Sequence, residues 1–582
     1  MPQLAPTPTT TPVAAPASII GTWQGLAVVL AVAVAPLIAF SQTPSTTLYN
    51  QLAAVFGWGW VLWLGARQMR GLQLDGGTAA VLLLLAAPFA SVVFNDLPLS
   101  LALESAALLL AALLVYQAGA ALREEFRISA FTWLCWGLLV AGLLSLVVSL
   151  AQVFAPEWTN GWLIARSGLP GRAIGNMRQP NHLASLMMWA CVAAAYLGDQ
   201  RRLGRFSAFL MPGLLFAFVF TIVLSASRTG MMSLALLVLW GLFDRSLKRG
   251  TRIALILTPL MLGVSWWLMS HWASAGHTFG AETRLESEGA GSPARLAILS
   301  NAWELVKRNP WTGVGWGEFN LAWTMTPFPG RPVAFFDHSH NLLMQLAVEL
   351  GLPLAGLVTA LLLWALLRAV HGAWGLRGPE AVMRRSAVMV VLSIGLHSLL
   401  EYPLWYAYFL LPCAFAMGLA APRGKVFLAS KAPAVLETLG AVLIAGSLYA
   451  VWDYSRVVAI YAPPAGASSL IDRVLAGQRS TFFSAQADYA AATSLPDNPY
   501  ALDAAKRTSH NLIDVRLMID WAEALHQSGD DERARYVAAR LREFHYPQGD
   551  EWFAPCKLLA ADAPRPFQCD APAREFNWRE MR

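Results

Sequence analysis

The sequence predicts an all-α polytopic membrane protein, and its composition and its apolar runs both support that class. Of the 582 residues, 56% are hydrophobic and 13% are charged, whereas soluble domains carry about 25% charged residues. Apolar runs of about 15 to 20 residues recur from residue 22 to 455. Lipid requires every backbone group of such a run to be bonded within its own segment, as in a helix. A large soluble helical core is a poor alternative, because soluble helices carry a polar face.

The apolar runs give about 12 to 13 transmembrane helices. The weakest pair, 386–400 and 404–420, is short and is interrupted by Pro403. The predicted spans are 22–40, 51–66, 79–94, 99–119, 131–153, 182–197, 207–225, 230–243, 253–270, 341–368, 386–400, 404–420 and 435–453.

Lysine and arginine alternate between the loops that join these spans. One set of loops contains clusters such as Arg201, Arg202 and Arg205, whereas the loops at 41–50 and 95–98 carry almost none. By the positive-inside rule, the basic loops are cytoplasmic. The N-terminus is then also on the inside.

This orientation divides the chain into three regions of a multi-pass protein; in a bacterium it would lie in the inner membrane, with its outer side in the periplasm. Residues 1–20 are rich in Pro, Thr and Ala and lack a basic start, so we predict a disordered cytoplasmic tail instead of a signal peptide. Residues 21–455 form the transmembrane domain, whose long loop 271–340 is periplasmic, and residues 456–582 form a periplasmic helical domain. The net charge of +6 is mostly loop arginine and does not indicate a nucleic-acid partner.

Five polar stretches interrupt the apolar pattern, and the predicted topology puts all of them at the outer face. The first, RAIGNMRQPNHLAS, supplies Arg178, Gln179, Asn181 and His182 directly before a span. A helix cap explains Asn181 alone. The second, SASRTG, leaves Arg228 in a short hairpin, where it either binds an anionic ligand or lies along lipid headgroups.

The third stretch, SPARLAILSNAWELVKRNPWTGVGWGEFN, predicts an amphipathic helix over 294–308 that carries Arg295. The glycines that follow, Gly313, Gly315 and Gly317, either let a loop approach a ligand closely or form a tight turn. No strand precedes them and no Lys-Ser/Thr pair follows, so this is not a nucleotide-binding loop.

The fourth stretch, FDHSHNLLMQLAVELGLP, begins a span with Asp337, His338, His340 and Asn341. Asp337 is a candidate helix cap. His340 is predicted in the first turn, where the helix dipole favours a neutral imidazole that can accept a proton. The alternatives are an interfacial histidine or a metal site of Asp337, His338 and His340, although no further ligand cluster completes such a site.

The fifth stretch, HSLLEYPLWYAYF, places His397 and Glu401 four residues apart, on one face of a helix. Tyr402 and Tyr406 follow around Pro403, which breaks the span. An aromatic belt at the membrane interface explains the tyrosines. It does not explain a buried pair of histidine and glutamate.

In this order, these motifs resemble the bacterial O-oligosaccharyltransferases of the PglL type, within the wider O-antigen ligase superfamily. The residues that carry the resemblance are RQPNHLAS, SRTG, NPWTGVGWGEF, DHSHNLLMQLAVELGLP and HSLLEYPLWYAYF. The resemblance covers roughly 20–455 and implies a GT-C-like catalytic membrane domain. It implies a glycosyltransferase that moves an oligosaccharide en bloc from an undecaprenyl-diphosphate carrier to Ser or Thr of a periplasmic protein such as a pilin, without cofactor or metal.

The resemblance also implies roles for individual residues. The essential histidine of the family matches His340, and chemistry agrees, because an imidazole base can take the proton of an attacking hydroxyl. Arginines suit a diphosphate, since the guanidinium fork meets phosphate oxygens in pairs. The predicted catalytic residues are His340, Asp337 and Glu401; the predicted substrate-binding residues are Arg178, Gln179, Asn181, His182, Arg228, Arg295, His338, Asn341, His397, Tyr402 and Tyr406.

Residues 456–582 differ from the rest, because charge rises and the apolar runs end. The segment WAEALHQSGDDERARYVAARL is similar to a tetratricopeptide-type helix pair, and one pair is too little for a free-standing solenoid. We therefore expect this domain to pack on the membrane domain, either to dock the acceptor or as a cap. Cys556 and Cys569 would face an oxidising compartment and predict a disulfide.

Three other functions fit part of the pattern. An O-antigen ligase would transfer the glycan to lipid A-core, and an O-antigen polymerase would join two lipid-linked repeats; both would use the same site. A transporter of lipid-linked glycan is of a different class, but transporters bind substrate near the midplane, whereas these polar residues gather at one face. The predicted partners are the lipid-linked donor, a periplasmic acceptor protein and membrane lipid.

Overall fold

Long α-helices account for the apolar part of the chain in the computed structural model. It describes residues 21–288, 293–329, 331–495, 499–558 and 565–582. The predicted disordered tail, residues 1–20, lies outside the described residues. Every predicted span coincides with a helix or with a bent pair of helices.

The helices of the bundle follow the apolar runs closely. They are Thr22–Ala33, Leu48–Gly65, Gly76–Asn95, Leu99–Ala120, Glu124–Phe154, Pro180–Asp199, Ser207–Ser225, Arg228–Phe243, Arg249–Ile256, Thr258–Ser274, Leu342–Trp374, Pro379–Ser398, Ala407–Ala420 and Ala432–Tyr461. Short 3-10 turns flank them at Ala35–Leu37, Ala66–Gln68, Pro156–Trp158, Gly204–Phe206 and Pro403–Trp405.

By length and composition, six helices in the described part of the chain can cross a membrane, or seven if the bent pair Arg249–Ile256 and Thr258–Ser274 counts as one span. That pair is bent by 44° just before Pro259, whose ring crowds the preceding turn. Three further apolar helices are shorter. The all-α membrane class is confirmed, whereas the count of 12 to 13 spans stays a prediction.

The helix Pro180–Asp199 runs through the centre of the bundle. All its residues from Asn181 to Asp199 are buried, as expected of a helix that is apolar all round. Its 20 residues span about 30 Å, so its two ends lie at opposite faces of the bundle. Its main neighbours are Glu124–Phe154, Ser207–Ser225, Arg228–Phe243 and Pro379–Ser398.

A two-stranded antiparallel ribbon, which the sequence analysis did not predict, pairs Leu72–Leu74 with Lys425–Phe427. The helix Leu99–Ala120 packs against Ala407–Ala420, the helix before the second strand, at the end of the bundle where the ribbon lies. Gly119 lies so close to the facing helix that an added Cβ would stand 2.5 Å from the carbonyl oxygen of Phe415. The ribbon therefore follows from helix contact, which a local sequence pattern does not show.

The long loop and the C-terminal region share a second hydrophobic core, which includes Trp323, Trp521 and Phe544. Cys556 and Cys569 are joined by a disulfide. The tetratricopeptide-like character and the periplasmic location of this part stay predictions. Its helices are Gly280–Glu288, Pro293–Arg308, Phe319–Met325, Leu470–Gln478, Ser484–Thr493, Ala501–Thr508, Val515–Gln527, Asp531–Arg542, Pro547–Trp552 and Ala554–Leu558, with 3-10 turns at Phe567–Cys569 and Trp578–Met581.

Candidate active site

The candidate site lies at one face of the bundle, where the central helix Pro180–Asp199 begins. That helix is capped by Gln179, whose side chain accepts a hydrogen bond from the backbone N–H of His182 at 2.8 Å. Gln179 therefore has the capping role that was the alternative explanation for Asn181. The side chain of Asn181 is left to make other contacts.

The carboxylate of Glu401 is the centre of the site. Glu401 is 4% exposed and follows the end of the helix Pro379–Ser398. Its Oε2 accepts a hydrogen bond from His340 Nδ1 at 2.6 Å, and its Oε1 accepts one from Asn181 Nδ2 at 2.9 Å. Arg295 forms an ion pair with the same Oε1. One carboxylate thus joins four of the five polar stretches.

These contacts determine the ionisation of Glu401. Burial on its own raises the pKa of a carboxyl group. The hydrogen bond and charge of His340, together with the charge of Arg295, outweigh burial and lower the pKa of Glu401 below its ordinary value. Glu401 is therefore an anion at neutral pH and accepts hydrogen bonds from its neighbours.

His340 does not lie in the first turn of the helix, as the sequence predicted. The helix begins at Leu342, and its cap is Asn341, whose side chain accepts a hydrogen bond from Met344 N–H at 3.0 Å. Asp337 is thus not the cap. His340 itself has a φ of +56°, a left-handed conformation that costs a non-glycine residue about 1–3 kcal/mol and is typical of functional sites.

The hydrogen bond to Glu401 fixes the tautomer of His340. Because the carboxylate accepts a hydrogen bond from Nδ1–H, the neutral ring carries its lone pair on Nε2. The side chain of His340 is 17% exposed. A histidine oriented in this way by a buried carboxylate is the arrangement that general-base catalysis uses.

Two further side chains, Ser227 and Asn341, form hydrogen bonds that hold the segments around Glu401 in place. Ser227 Oγ donates a hydrogen bond to Asn181 Oδ1 at 2.6 Å and accepts one from Gly230 N–H at 3.1 Å. Asn341 Nδ2 donates to the carbonyl oxygen of Leu399 at 2.9 Å. The sequence analysis missed Ser227, although a serine directly before a helix is a typical cap.

Aromatic rings extend the site from His340. The ring of His338 stacks on Tyr402 with centroids 4.3 Å apart, and the ring of His340 meets Tyr402 edge-on at 5.1 Å. Asp337 Oδ1 lies 3.1 Å from His338 Nδ1, so this carboxylate reaches His338. No group of three His, Cys, Asp or Glu side chains in the described residues is placed to hold a metal ion.

His397 and Glu401 do not form the direct pair that their spacing predicted. The helix ends at Ser398, so Glu401 leaves the helical face and turns towards His340. His397 Nδ1 instead lies 2.7 Å from Ser185 Oγ. Spacing along a chain predicts a shared face only as long as the helix continues.

His182 and Tyr406 pack beside the cluster. Their rings meet edge-on with centroids 4.5 Å apart, and Tyr406 stacks near Tyr402 at 6.2 Å. The Nδ1 atom of His182 lies 3.0 Å from the hydroxyl of Tyr408. Tyr408 is a second residue that the sequence analysis missed.

Arg178 and Arg228 both contact backbone carbonyl groups of other segments. The guanidinium of Arg178 donates to the carbonyl oxygens of Thr46, at 3.1 Å, and Ala39. Arg228 Nη2 lies 3.5 Å from the carbonyl oxygen of Arg284. Binding of one ligand by both arginines together with Arg295 stays a prediction.

The glycine-rich loop at the end of the third stretch packs against a broken helix. Leu342–Trp374 is interrupted at Gly351, whose φ is +75°. The carbonyl oxygen of Val348, freed by the break, accepts a hydrogen bond from Val314 N–H at 2.8 Å. An added Cβ on Gly313 would lie 2.5 Å from this backbone. The tight-turn interpretation therefore explains this loop.

The fold and the site define a multi-pass membrane protein whose polar, titratable residues meet at one end of a helical bundle. Three protein-family models match the chain. The model described as O-antigen ligase matches residues 213–359, that of a protein glycosylation ligase matches 173–197, and that of the C-terminal part of a membrane-bound polymerase virulence factor matches 386–557.

Two curated relatives come from Acinetobacter baylyi. The chain is 28% identical over 274 residues to a general O-oligosaccharyltransferase, which covers 44% of this chain and 46% of the relative. It is 23% identical over 299 residues to a ComP-specific O-oligosaccharyltransferase, which covers 49% of this chain and 50% of the relative. The chain thus spans about half the length of the curated relatives it matches. The predicted resemblance to PglL-type O-oligosaccharyltransferases of the O-antigen ligase superfamily is confirmed.

Proposed function

We propose that this protein is an oligosaccharyltransferase that moves a glycan en bloc from undecaprenyl diphosphate to a Ser or Thr hydroxyl of a periplasmic protein such as a pilin. The observation that carries the proposal is the 2.6 Å hydrogen bond between His340 and Glu401. The names of the two relatives and the match to a protein glycosylation ligase support a protein acceptor over lipid A-core.

The proposed reaction is a direct displacement in which His340 is the general base. The acceptor oxygen forms a bond to the anomeric carbon of the glycan, while the bond from that carbon to the diphosphate oxygen breaks. The diphosphate leaves with the bonding electrons, and the hydroxyl proton passes to His340 Nε2. Glu401 stabilises the imidazolium that results, and a base of this kind contributes about 10²- to 10⁴-fold in rate.

Arg295 is the arginine best placed to stabilise the leaving diphosphate. It is joined to His340 through Glu401, and its side chain is 28% exposed. A guanidinium has several donors in a planar fork, so it can bind a phosphate while it keeps its carboxylate partner. In this proposal, arginine charge stabilises the diphosphate without a metal ion or a cofactor, and Arg178 and Arg228 add to it from the neighbouring stretches.

The decisive experiment is co-expression of the protein with a lipid-linked glycan and a pilin acceptor. We expect wild type to produce glycosylated pilin and His340→Ala to lose at least about 100-fold of that activity. The matched control is His277→Ala, since His277 is exposed and lies outside the site. Unchanged pilin glycosylation in His340→Ala would overturn the mechanism, and glycan on lipid A instead of pilin would assign the chain to the ligases.

A further inference from the structure

A basic cleft of about 500 Å³ opens at the end of the bundle opposite the candidate active site. The helices Pro180–Asp199 and Pro379–Ser398 both run from the candidate active site at one end to this cleft at the other. Each has 20 residues and is about 30 Å long, close to the thickness of a bilayer core. The cleft is therefore a separate site at the other membrane face.

Four cationic side chains line this cleft against one carboxylate. The cations are Arg245, Lys248, Arg377 and Arg385, and the carboxylate is Asp199. Asp199 and three of the cations come from turns at the ends of the helices Pro180–Asp199, Arg228–Phe243 and Leu342–Trp374, whereas Arg385 lies within the helix Pro379–Ser398. The fold thus gathers positive charge that is dispersed along the chain.

Two of these cations form hydrogen bonds within the protein. Arg385 is buried and donates to Asp244 Oδ1 at 2.6 Å and to the carbonyl oxygen of Ala373 at 3.1 Å. Lys248 donates from Nζ to the carbonyl oxygen of Asp199. These bonds hold the walls of the cleft, so its shape does not depend on a ligand.

The other two cations, Arg245 and Arg377, are available to a ligand. Both are exposed, and neither side chain makes an ion pair or a hydrogen bond within the described ranges of the chain. Two like charges held at one cleft repel each other, and a bound anion removes that repulsion.

The apolar rim indicates that the anion belongs to a lipid. Trp374 lines the cleft and is 42% exposed, and the adjoining helix end presents Leu242 and Phe243, which are 46% and 68% exposed. Tryptophan is enriched at the membrane surface, and the exposed apolar side chains offer a path for acyl chains. Basic pockets between transmembrane helices commonly hold anionic headgroups.

We propose that this cleft binds the phosphate of an anionic phospholipid at the face opposite the candidate active site. Arg245 and Arg377 contact the phosphate oxygens, and Trp374 lies at the level of the glycerol backbone. The proposal does not depend on glycan transfer.

The test measures phospholipid retention by the purified full-length protein, using native mass spectrometry after reconstitution in nanodiscs of phosphatidylcholine with added phosphatidylglycerol. We expect wild type to retain phosphatidylglycerol selectively and the double variant Arg245→Ala, Arg377→Ala to bind it about 10- to 30-fold more weakly. The matched control is Arg67→Ala, Arg70→Ala, which removes two exposed arginines near the strand ribbon at the same face. It should behave as wild type.

Three results would overturn the proposal. The cleft variant could retain phosphatidylglycerol as wild type does, or the control variant could lose it equally, which would indicate a general effect of surface charge. Inorganic phosphate, added in a separate arm, could displace the lipid fully, which would assign the cleft to a soluble anion. Because the variants leave His340 and Glu401 unchanged, glycan transfer can be measured independently in the same samples.

Discussion

The Glu401 carboxylate decides how the candidate site is organised. It receives donors from His340, Asn181 and Arg295, and each of these comes from a different part of the chain. If this carboxylate is removed, the buried donors lose their hydrogen-bond partner. Buried polar groups without a partner destabilise the fold, because their desolvation is no longer compensated. The carboxylate therefore supports both the local structure and the orientation of the base.

Glu401→Gln tests this role with almost no change in shape. The NH₂ group of the glutamine amide must face either His340 Nδ1–H or the guanidinium of Arg295. In both orientations one hydrogen-bond donor faces another donor, and one hydrogen bond is lost. We expect the free energy of unfolding to fall by about 1–3 kcal/mol and glycan transfer to fall at least tenfold. The control is Glu380→Gln, which breaks the partly exposed ion pair with Arg384 and should cost under about 1 kcal/mol. Equal effects of the two variants on transfer would contradict the assignment.

The pH dependence of stability follows from the same group. The pKa of Glu401 is lower in the folded protein than its ordinary value, which is about 4.3. Its contribution is therefore complete above about pH 5 and is lost as the pH falls through the folded pKa. We expect the stability difference between wild type and Glu401→Gln to shrink as the pH falls below about 5 and Glu401 becomes protonated. Thermal unfolding in detergent measures it, and a difference that grows in acid would contradict the sign.

The sequence predicted which residues belong to the site, but it did not predict which of them bond to one another. Polar residues that enter an apolar span are costly, so His340, Glu401 and Asn181 were conspicuous. Their partners depend on tertiary packing: Glu401 meets His340 only because a helix ends at Ser398. Ser227 was missed because its role, bonding Asn181, depends on a helix that lies far away in sequence.

The broken helix Leu342–Trp374 positions His340. Gly351 interrupts the helix with a φ of +75°, and an added Cβ there would stand 2.4 Å from the carbonyl oxygen of Trp311. The sequence analysis predicted one continuous span, although Pro353, two residues after Gly351, is a local sign of a break. Hydrogen bonds from a loop about 40 residues earlier in the chain stabilise the interruption, and a periodicity argument cannot detect them.

Gly351→Ala should therefore be destabilising despite the higher helix propensity of alanine. Strain at positive φ and the contact with Trp311 together cost at least about 1–3 kcal/mol. Gly356→Ala is the matched control in the same helix, because an added Cβ there meets nothing within 4 Å and alanine favours the helix by about 1 kcal/mol. We expect a lower melting temperature for the first variant and an equal or higher one for the second. The reverse order would show that the break is dispensable.

The C-terminal region is fixed to the long loop 271–340 that carries Arg295. Glu318 and His510 are both buried, and their side chains meet at 2.7 Å. Tyr536 donates its hydroxyl hydrogen bond to the carbonyl oxygen of Met325 at 2.7 Å. At the end of the chain, Arg582 donates to Asn95 Oδ1 at 3.2 Å. These contacts join the C-terminal region to the bundle on the side of the candidate active site, so both should lie in the same compartment.

The orientation of the whole molecule can be tested with phosphatase fusions, which are active only outside the cytoplasm. A fusion after Ala467, in the turn that follows the helix Ala432–Tyr461, should be active. One after Leu203, in the arginine-rich turn that follows the helix Pro180–Asp199, should be inactive, because basic loops stay in the cytoplasm. The disulfide Cys556–Cys569 gives an independent readout, since both thiols should resist alkylation until a reductant is added. An active fusion after Leu203 would invert the topology and would place His340, Glu401 and Arg295 away from a periplasmic acceptor.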